Sequence, residues 1–70
     1  MSKRPLITLG ISCFNAEKTI ARAIESALNQ SWKNKEIIVV DDVSEDSSVT
    51  IIKEFIKQHE IIKLHVNEDN

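Results

Sequence analysis

The chain reads as an α/β unit of order β-α-β-α-β built on a parallel sheet. Three observations predict it. Ile37, Ile38, Val39 and Val40 form an unbroken β-branched run that ends in Asp41 and Asp42, the signature of a strand buried on both faces. Two stretches of helical period lie on either side of that run. The connections between the segments are short, and strands alternating with helices imply a parallel sheet.

The first strand is predicted over residues 6–13, Leu-Ile-Thr-Leu-Gly-Ile-Ser-Cys. Pro5 precedes it, where a missing backbone donor does little harm. Gly10 lowers its strand propensity and can mark close backbone approach. A helix is predicted over residues 16–30, because Ile20, Ile24, Ala27 and Leu28 fall on one face. Asn15 has the chemistry of its N-cap, and Glu17 sits in its first turn, where the helix dipole favours an acid. Residues 31–34 are a polar connection anchored by Trp32. The central strand spans 36–41. Residues 44–48, Ser-Glu-Asp-Ser-Ser, combine turn and capping residues. The second helix spans about 47–59, with Val49, Ile52, Phe55 and Ile56 on its apolar face. The third strand covers 61–66 and ends at Asn67-Glu68-Asp69-Asn70. Residues 1–5 read as a tail and 6–70 as the folded part.

Composition excludes several function classes. The chain has 70 residues and a formal net charge of -2, with 41% apolar and 4% aromatic residues. A unit this small buries only about 60% of its surface and is marginal on its own. Cys13 is the single cysteine, so neither an intrachain disulfide nor a cysteine-based zinc site can form. A lone thiol fits a reducing compartment, and a cytoplasmic location, if necessary peripheral to the inner membrane face, is expected. Mild acidity gives no sign of nucleic acid as partner. No apolar run reaches the roughly 18–20 residues that span a bilayer, and no signal-peptide pattern follows Lys3-Arg4.

Right-handed crossovers place both helices on one face of a sheet of order 3-2-1. The central strand is apolar on both faces, yet one face has no helix to cover it. All-parallel sheets occur almost only with both faces covered. The chain is therefore expected to be an incomplete half of its fold.

Three loops meet at the carboxyl edge of such a sheet, where ligands of α/β proteins bind. They offer Ser12, Cys13, Phe14, Asn15 and Glu17, then Asp41, Asp42 and Ser44, then Asn67, Glu68 and Asp69. One reading is a nucleotide pocket. Phe14 supplies a face for a base to stack on. An ionised Asp only accepts hydrogen bonds, so it takes the ring N–H of uracil, thymine or guanine and rejects adenine and cytosine. The other reading is that the two acids end a strand and help cap the second helix, with Glu17 serving the helix dipole and Phe14 the core. Cys13 reads as a small buried apolar residue, and His59 and His65 as surface residues. With Gly10 the only glycine, a dinucleotide fingerprint and a phosphate-cradling P-loop are both excluded.

Three blocks carry a resemblance. They are I-S-C-F-N-A-E-K-T-I at 11–20, A-I-E-S-A-L-N-Q-S at 23–31, and E-I-I-V-V-D-D-V-S-E-D at 36–46. In order and spacing they resemble the opening of family 2 glycosyltransferases, inverting enzymes of the GT-A type that use nucleotide-diphospho-sugars. The resemblance covers about residues 5–70. It implies a Rossmann-like fold of which this chain is the nucleotide-binding half. Ser12 and Phe14 would line the base pocket, with Asn15 and Glu17 close by. Asp42 would accept the base N–H, and Asp41 and Ser44 would shape the ribose side.

The donor implied is a UDP-sugar, and the acceptor a hydroxyl of a glycan, lipid or polysaccharide. The Mn²⁺ or Mg²⁺ of the family, its D-x-D ligands and its catalytic base are expected outside this chain, which by itself would lack activity. Two departures stand out. Phe14 replaces the usual Tyr, and Val43 replaces the usual Gly, so the turn after Asp42 must use an ordinary backbone conformation or carry strain. V-V-D-D also ends the first strand of phosphoacceptor receiver domains, a second reading that leaves residues 1–34 without a role. A non-catalytic remnant is a third.

Overall fold

A computed structural model describes residues 5–68. The elements are β1 (Ile7–Cys13), α1 (Ile20–Leu28), β2 (Lys35–Asp41), α2 (Ser48–Gln58) and β3 (Ile62–Val66). The expected tail lies outside the described residues up to position 4, as does Asp69 of the third loop. The three strands form one parallel sheet of order β1-β2-β3. Ile7 pairs with Lys35 through to Cys13 with Asp41, and Ile37 with Ile62 through to Asp41 with Val66. The expected α/β class, parallel pairing and strand order are all present.

The period of two along a strand explains the burial. On β2, Lys35, Ile37, Val39 and Asp41 are buried, while Glu36, Ile38 and Val40 are half-buried. The buried set faces the helices. Cys13, Ile37, Val39 and Ile62 of the sheet form one core with Ile20, Ile24 and Ala27 of α1 and Ile52 of α2. The opposite face has no helix among the described residues. It is less apolar than the central strand suggests, because the flanking strands put Thr8 beside Glu36, and Gly10, Ser12, Lys63 and His65 beside Ile38 and Val40. Thr8 donates to the Glu36 carboxylate at 2.6 Å, and Lys63 lies 3.8 Å from it.

α1 begins later than its periodicity suggests. Residues 17–19 form a turn held by the N–H groups of Thr19 and Ile20 on the Ala16 carbonyl, at 2.9 and 2.8 Å. Regular helix starts at Ile20, with Thr19 in the cap position and no side-chain cap. Asn15 is therefore not the N-cap, and Glu17 is not in the first turn. Both side chains are engaged by another loop, as described below. The carboxyl end of α1 has an unexpected partner. Lys35 is only 8% exposed, and its Nζ donates to the carbonyls of Leu28 and Gln30, each at 2.8 Å. A helix end leaves such carbonyls without intrahelical partners, and a cation there also suits the dipole. Trp32 anchors the same corner, its indole N–H donating to the Pro5 carbonyl at 3.2 Å.

Candidate functional site

Parity carries through the strand ends into the loops. Ser12 near the end of β1 and Phe14 just past it, Val40 near the end of β2 and Asp42 just past it, and Asn67 just past β3 all fall at positions of the open face. With Cys13 they line a cleft of about 480 Å³ at the carboxyl edge of the sheet, within the usual size of small-molecule sites. Asp42 is held there by its N–H on the Cys13 carbonyl at 2.8 Å, and Asn67 by its N–H on the Asp41 carbonyl at 2.8 Å. Phe14 is 62% exposed, so it is an aromatic face presented to the cleft and not a core residue. The Asp42 carboxylate is exposed, and its Oδ1 lies 3.4 Å from Asn67 Nδ2.

The remaining expected site residues point elsewhere. Asp41 is fully buried on the helix side. Its carboxylate accepts the Ser44 N–H at 2.9 Å and the Ser44 hydroxyl at 2.5 Å, closing the turn after β2. Burial alone would push the Asp41 carboxyl up. Hydrogen bonds from the Ser44 hydroxyl, the Ser44 N–H and Cys13 outweigh it and hold the group below the usual carboxylate range. Burial likewise pushes the Cys13 thiol up, against the opposing pull of Ser48, so the thiol is un-ionised at neutral pH and is no ready nucleophile.

Asn15, Glu17 and Ser44 belong to a lattice that ties the loop after β1 to the loop after β2. The Asn15 N–H donates to Ser44 Oγ at 2.8 Å, while Asn15 Oδ1 accepts the Glu45 N–H at 2.7 Å. The Glu17 N–H donates to Asp46 Oδ2 at 3.1 Å, while Glu17 Oε1 accepts the Ser47 N–H at 2.8 Å. Buried Ser48 accepts the Ala16 N–H at 2.8 Å and donates to Asp46 Oδ1 at 2.6 Å. Asp46 is pushed up by desolvation but held below the usual carboxylate range, chiefly by the Ser48 hydroxyl and N–H and the Glu17 N–H. Each loop thus satisfies the other's backbone. Two residues take left-handed backbone conformations inside this lattice, Asn15 at φ 48° and Val43 at φ 57°. Asn tolerates that region; a β-branched Val is strained in it.

Val40 was not among the expected site residues, and Asn67 was expected only as part of the third loop, with no role in the base pocket. The alternation of β2 and β3 points to both, since each shares a face with Ser12 and Asp42. It also missed Asp46 and Ser48 as loop ties, which only tertiary contact reveals. Among the described residues, no cluster of three His, Cys, Asp or Glu side chains could hold a metal ion. None of their helices is long and apolar enough to cross a membrane.

This arrangement is a parallel, Rossmann-like half-sheet presenting an aromatic and an acid at its carboxyl edge. The profile of Glycosyl transferase family 2 matches residues 8–70, and the chain belongs to that family. It is 39% identical over 66 residues to an uncharacterized glycosyltransferase of Haemophilus influenzae, covering 94% of this chain and 26% of that protein. It is 42% identical over 62 residues to the Escherichia coli UDP-Glc:alpha-D-GlcNAc-diphosphoundecaprenol beta-1,3-glucosyltransferase WfaP, covering 89% of this chain and 24% of that one. A Methanococcus voltae dolichyl N-acetyl-alpha-D-glucosaminyl phosphate 3-beta-D-2,3-diacetamido-2,3-dideoxy-beta-D-glucuronosyltransferase is 39% identical over 66 residues, covering 89% of this chain and 21% of that protein. The chain spans about a quarter or less of the length of the curated relatives it matches. The receiver reading needs the strand ending in Asp41 and Asp42 to come first. It is the second and central strand, paired along its length with β1.

Proposed function

We propose that this chain forms the base-binding wall of a sugar-transferase site, one that moves a sugar from a nucleotide-diphospho-sugar, UDP-linked, to an acceptor hydroxyl. The observation that carries the proposal is the convergence of Phe14 and Asp42 on one cleft at the carboxyl edge, while Asp41 turns away. Phe14 stacks on the base, Asp42 accepts its ring N–H, and Ser12 with Val40 forms the floor. Asp41, Ser44, Asn15 and Glu17 act one step back, by holding the two loops that carry Phe14 and Asp42. A lipid-linked or glycan acceptor is the counterpart suggested by the relatives' names. Membrane-linked acceptors would place the protein at the inner membrane face. The described residues do not fit a metal site, so Mn²⁺ or Mg²⁺ on the diphosphate would take its ligands from other residues. The groups named here bind and orient the nucleotide; none breaks the sugar–phosphate bond.

Titration of the isotopically labelled chain with uridine and adenosine diphosphates, followed by amide shifts, tests this. Uridine diphosphate is expected to bind more tightly and to move the Ser12, Phe14 and Asp42 signals. Asp42→Asn removes a charged hydrogen bond of about 1.5–3 kcal/mol, a loss of roughly ten- to a hundred-fold. Equal binding of both nucleotides, or undiminished uridine binding by the variant, would overturn the assignment.

A further inference from the structure

Asn67 extends the β3 ladder one residue past Val66, through its N–H on the Asp41 carbonyl at 2.8 Å. That bond fixes the side chain on the cleft side, where Nδ2 lies 3.4 Å from Asp42 Oδ1. The orientation of the amide is determined chemically. With Oδ1 turned toward Asp42, two acceptors would face each other, so the NH₂ must point at the carboxylate. One amide hydrogen is used there, and the second is left for another acceptor. Asp42 Oδ2 takes no hydrogen bond from a described residue. The cleft therefore presents an anionic acceptor and a neutral donor side by side.

That pair has a complement. The edge of uracil carries a ring N–H flanked by carbonyl oxygens, a donor beside an acceptor. Guanine offers the same pair along its N1–H and carbonyl edge. Adenine and cytosine reverse it, placing a ring acceptor beside an amino donor, and would be mismatched at both points. We propose that Asn67 is a second base-reading residue, donating its side-chain amide to the carbonyl at position 4 of uracil, next to the N–H that Asp42 takes. The proposal rests on the base-site reading above and adds to it a specificity determinant on the third strand.

The test is the same amide-shift titration with uridine diphosphate and its 4-thio analogue, which keeps the ring N–H but replaces the neighbouring carbonyl oxygen with a weaker sulfur acceptor. The wild-type chain is expected to prefer the oxygen form by roughly three- to ten-fold, the range of one neutral hydrogen bond. Asn67→Leu, of similar size and without a donor, should bind both forms equally, at about the wild-type level for the thio form. Asn67→Asp, which keeps the shape but sets two carboxylates together, should weaken uridine binding more than Asn67→Leu does. A preference for oxygen that survives in Asn67→Leu overturns the inference. If uridine is preferred over adenosine and the preference depends on Asp42 but not on Asn67, this inference alone falls. If wild type shows no preference for uridine, the base-site reading fails and takes the inference with it.

Discussion

Val43 stands between the acid proposed to read the base and the serine that holds the turn, in a conformation that L-residues avoid. At φ 57° its branched Cβ crowds the following carbonyl. The side chain is partly solvent-exposed, at 37%, so little burial offsets the strain. The turn is imposed by its neighbours, since the Asp41 carboxylate binds both polar groups of Ser44. Val43→Gly should relieve about 1–2 kcal/mol of strain and return roughly 0.5–1 kcal/mol as unfolded-state entropy. A net gain near 1 kcal/mol is expected in the urea midpoint. A variant no more stable than the parent would mean that the left-handed turn is unstrained. The Asp41–Ser44 bonds hold the turn in this shape and the branched side chain narrows the alternatives, so the same variant reports on whether nucleotide affinity depends on that rigidity.

At the scale of the elements, the two loops behave as one unit, and acid should separate them. Asp41 and Asp46 are both held below the usual value of 3.8. A carboxyl with a depressed native pKa stabilises the fold above its unfolded pKa. That contribution is lost as pH falls through the native value, because the unfolded chain binds more protons in between. Stability should therefore be level near neutrality and fall below about pH 4. Asp41→Asn should be less stable at pH 7, since its NH₂ cannot accept both Ser44 donors, and should lose less between pH 7 and pH 3. Urea unfolding at the two pH values measures both. An identical acid loss in parent and variant would remove Asp41 from the account.

The same lattice explains which features could be read from the sequence. The run from Ile37 to Val40 announced the central strand, and the spacing of Ile20, Ile24 and Ala27 announced α1. The start of α1 was misplaced because Asn15 and Glu17 are residue types that cap helices, and here they serve a loop some thirty positions away. Only the folded chain brings those partners together. Phe14 and Asp42 were expected together from the shared blocks, and both line the cleft. Asp41 was expected on the ribose side of the pocket beside Asp42, but one step along a pleated strand sends its side chain to the opposite face, onto Ser44. Lys35 as the cap of α1 was hidden by its charge, since a lysine at a strand start reads as exposed.

For the whole molecule, the two faces of β2 define what the chain can do alone. Ile37 is fully buried under the helices, while its neighbour Ile38 lies on the open face between Gly10 and Lys63. Ile37→Ala should cost about 2–5 kcal/mol, the range for a large core side chain cut to Ala. That is a large part of the stability available to a unit this small, so the variant should be mostly unfolded by circular dichroism. Ile38→Thr keeps β-branching and removes apolar surface only from the open face, so its cost should stay under about 1.5 kcal/mol. The open face is the surface on which copies can associate, with a narrow apolar strip and, among the described residues, backbone edges along β1 and β3 that pair with no further strand. The polar row of Thr8, Glu36 and Lys63 covers its amino end and restricts that association to the carboxyl half, beside the cleft. Sedimentation across a hundred-fold concentration range should show self-association in the parent, weakened in an Ile38→Thr, Val40→Thr double variant. A parent that stays monomeric throughout would show that Gly10, Ser12, Lys63 and His65 are enough to keep the bare sheet face in water.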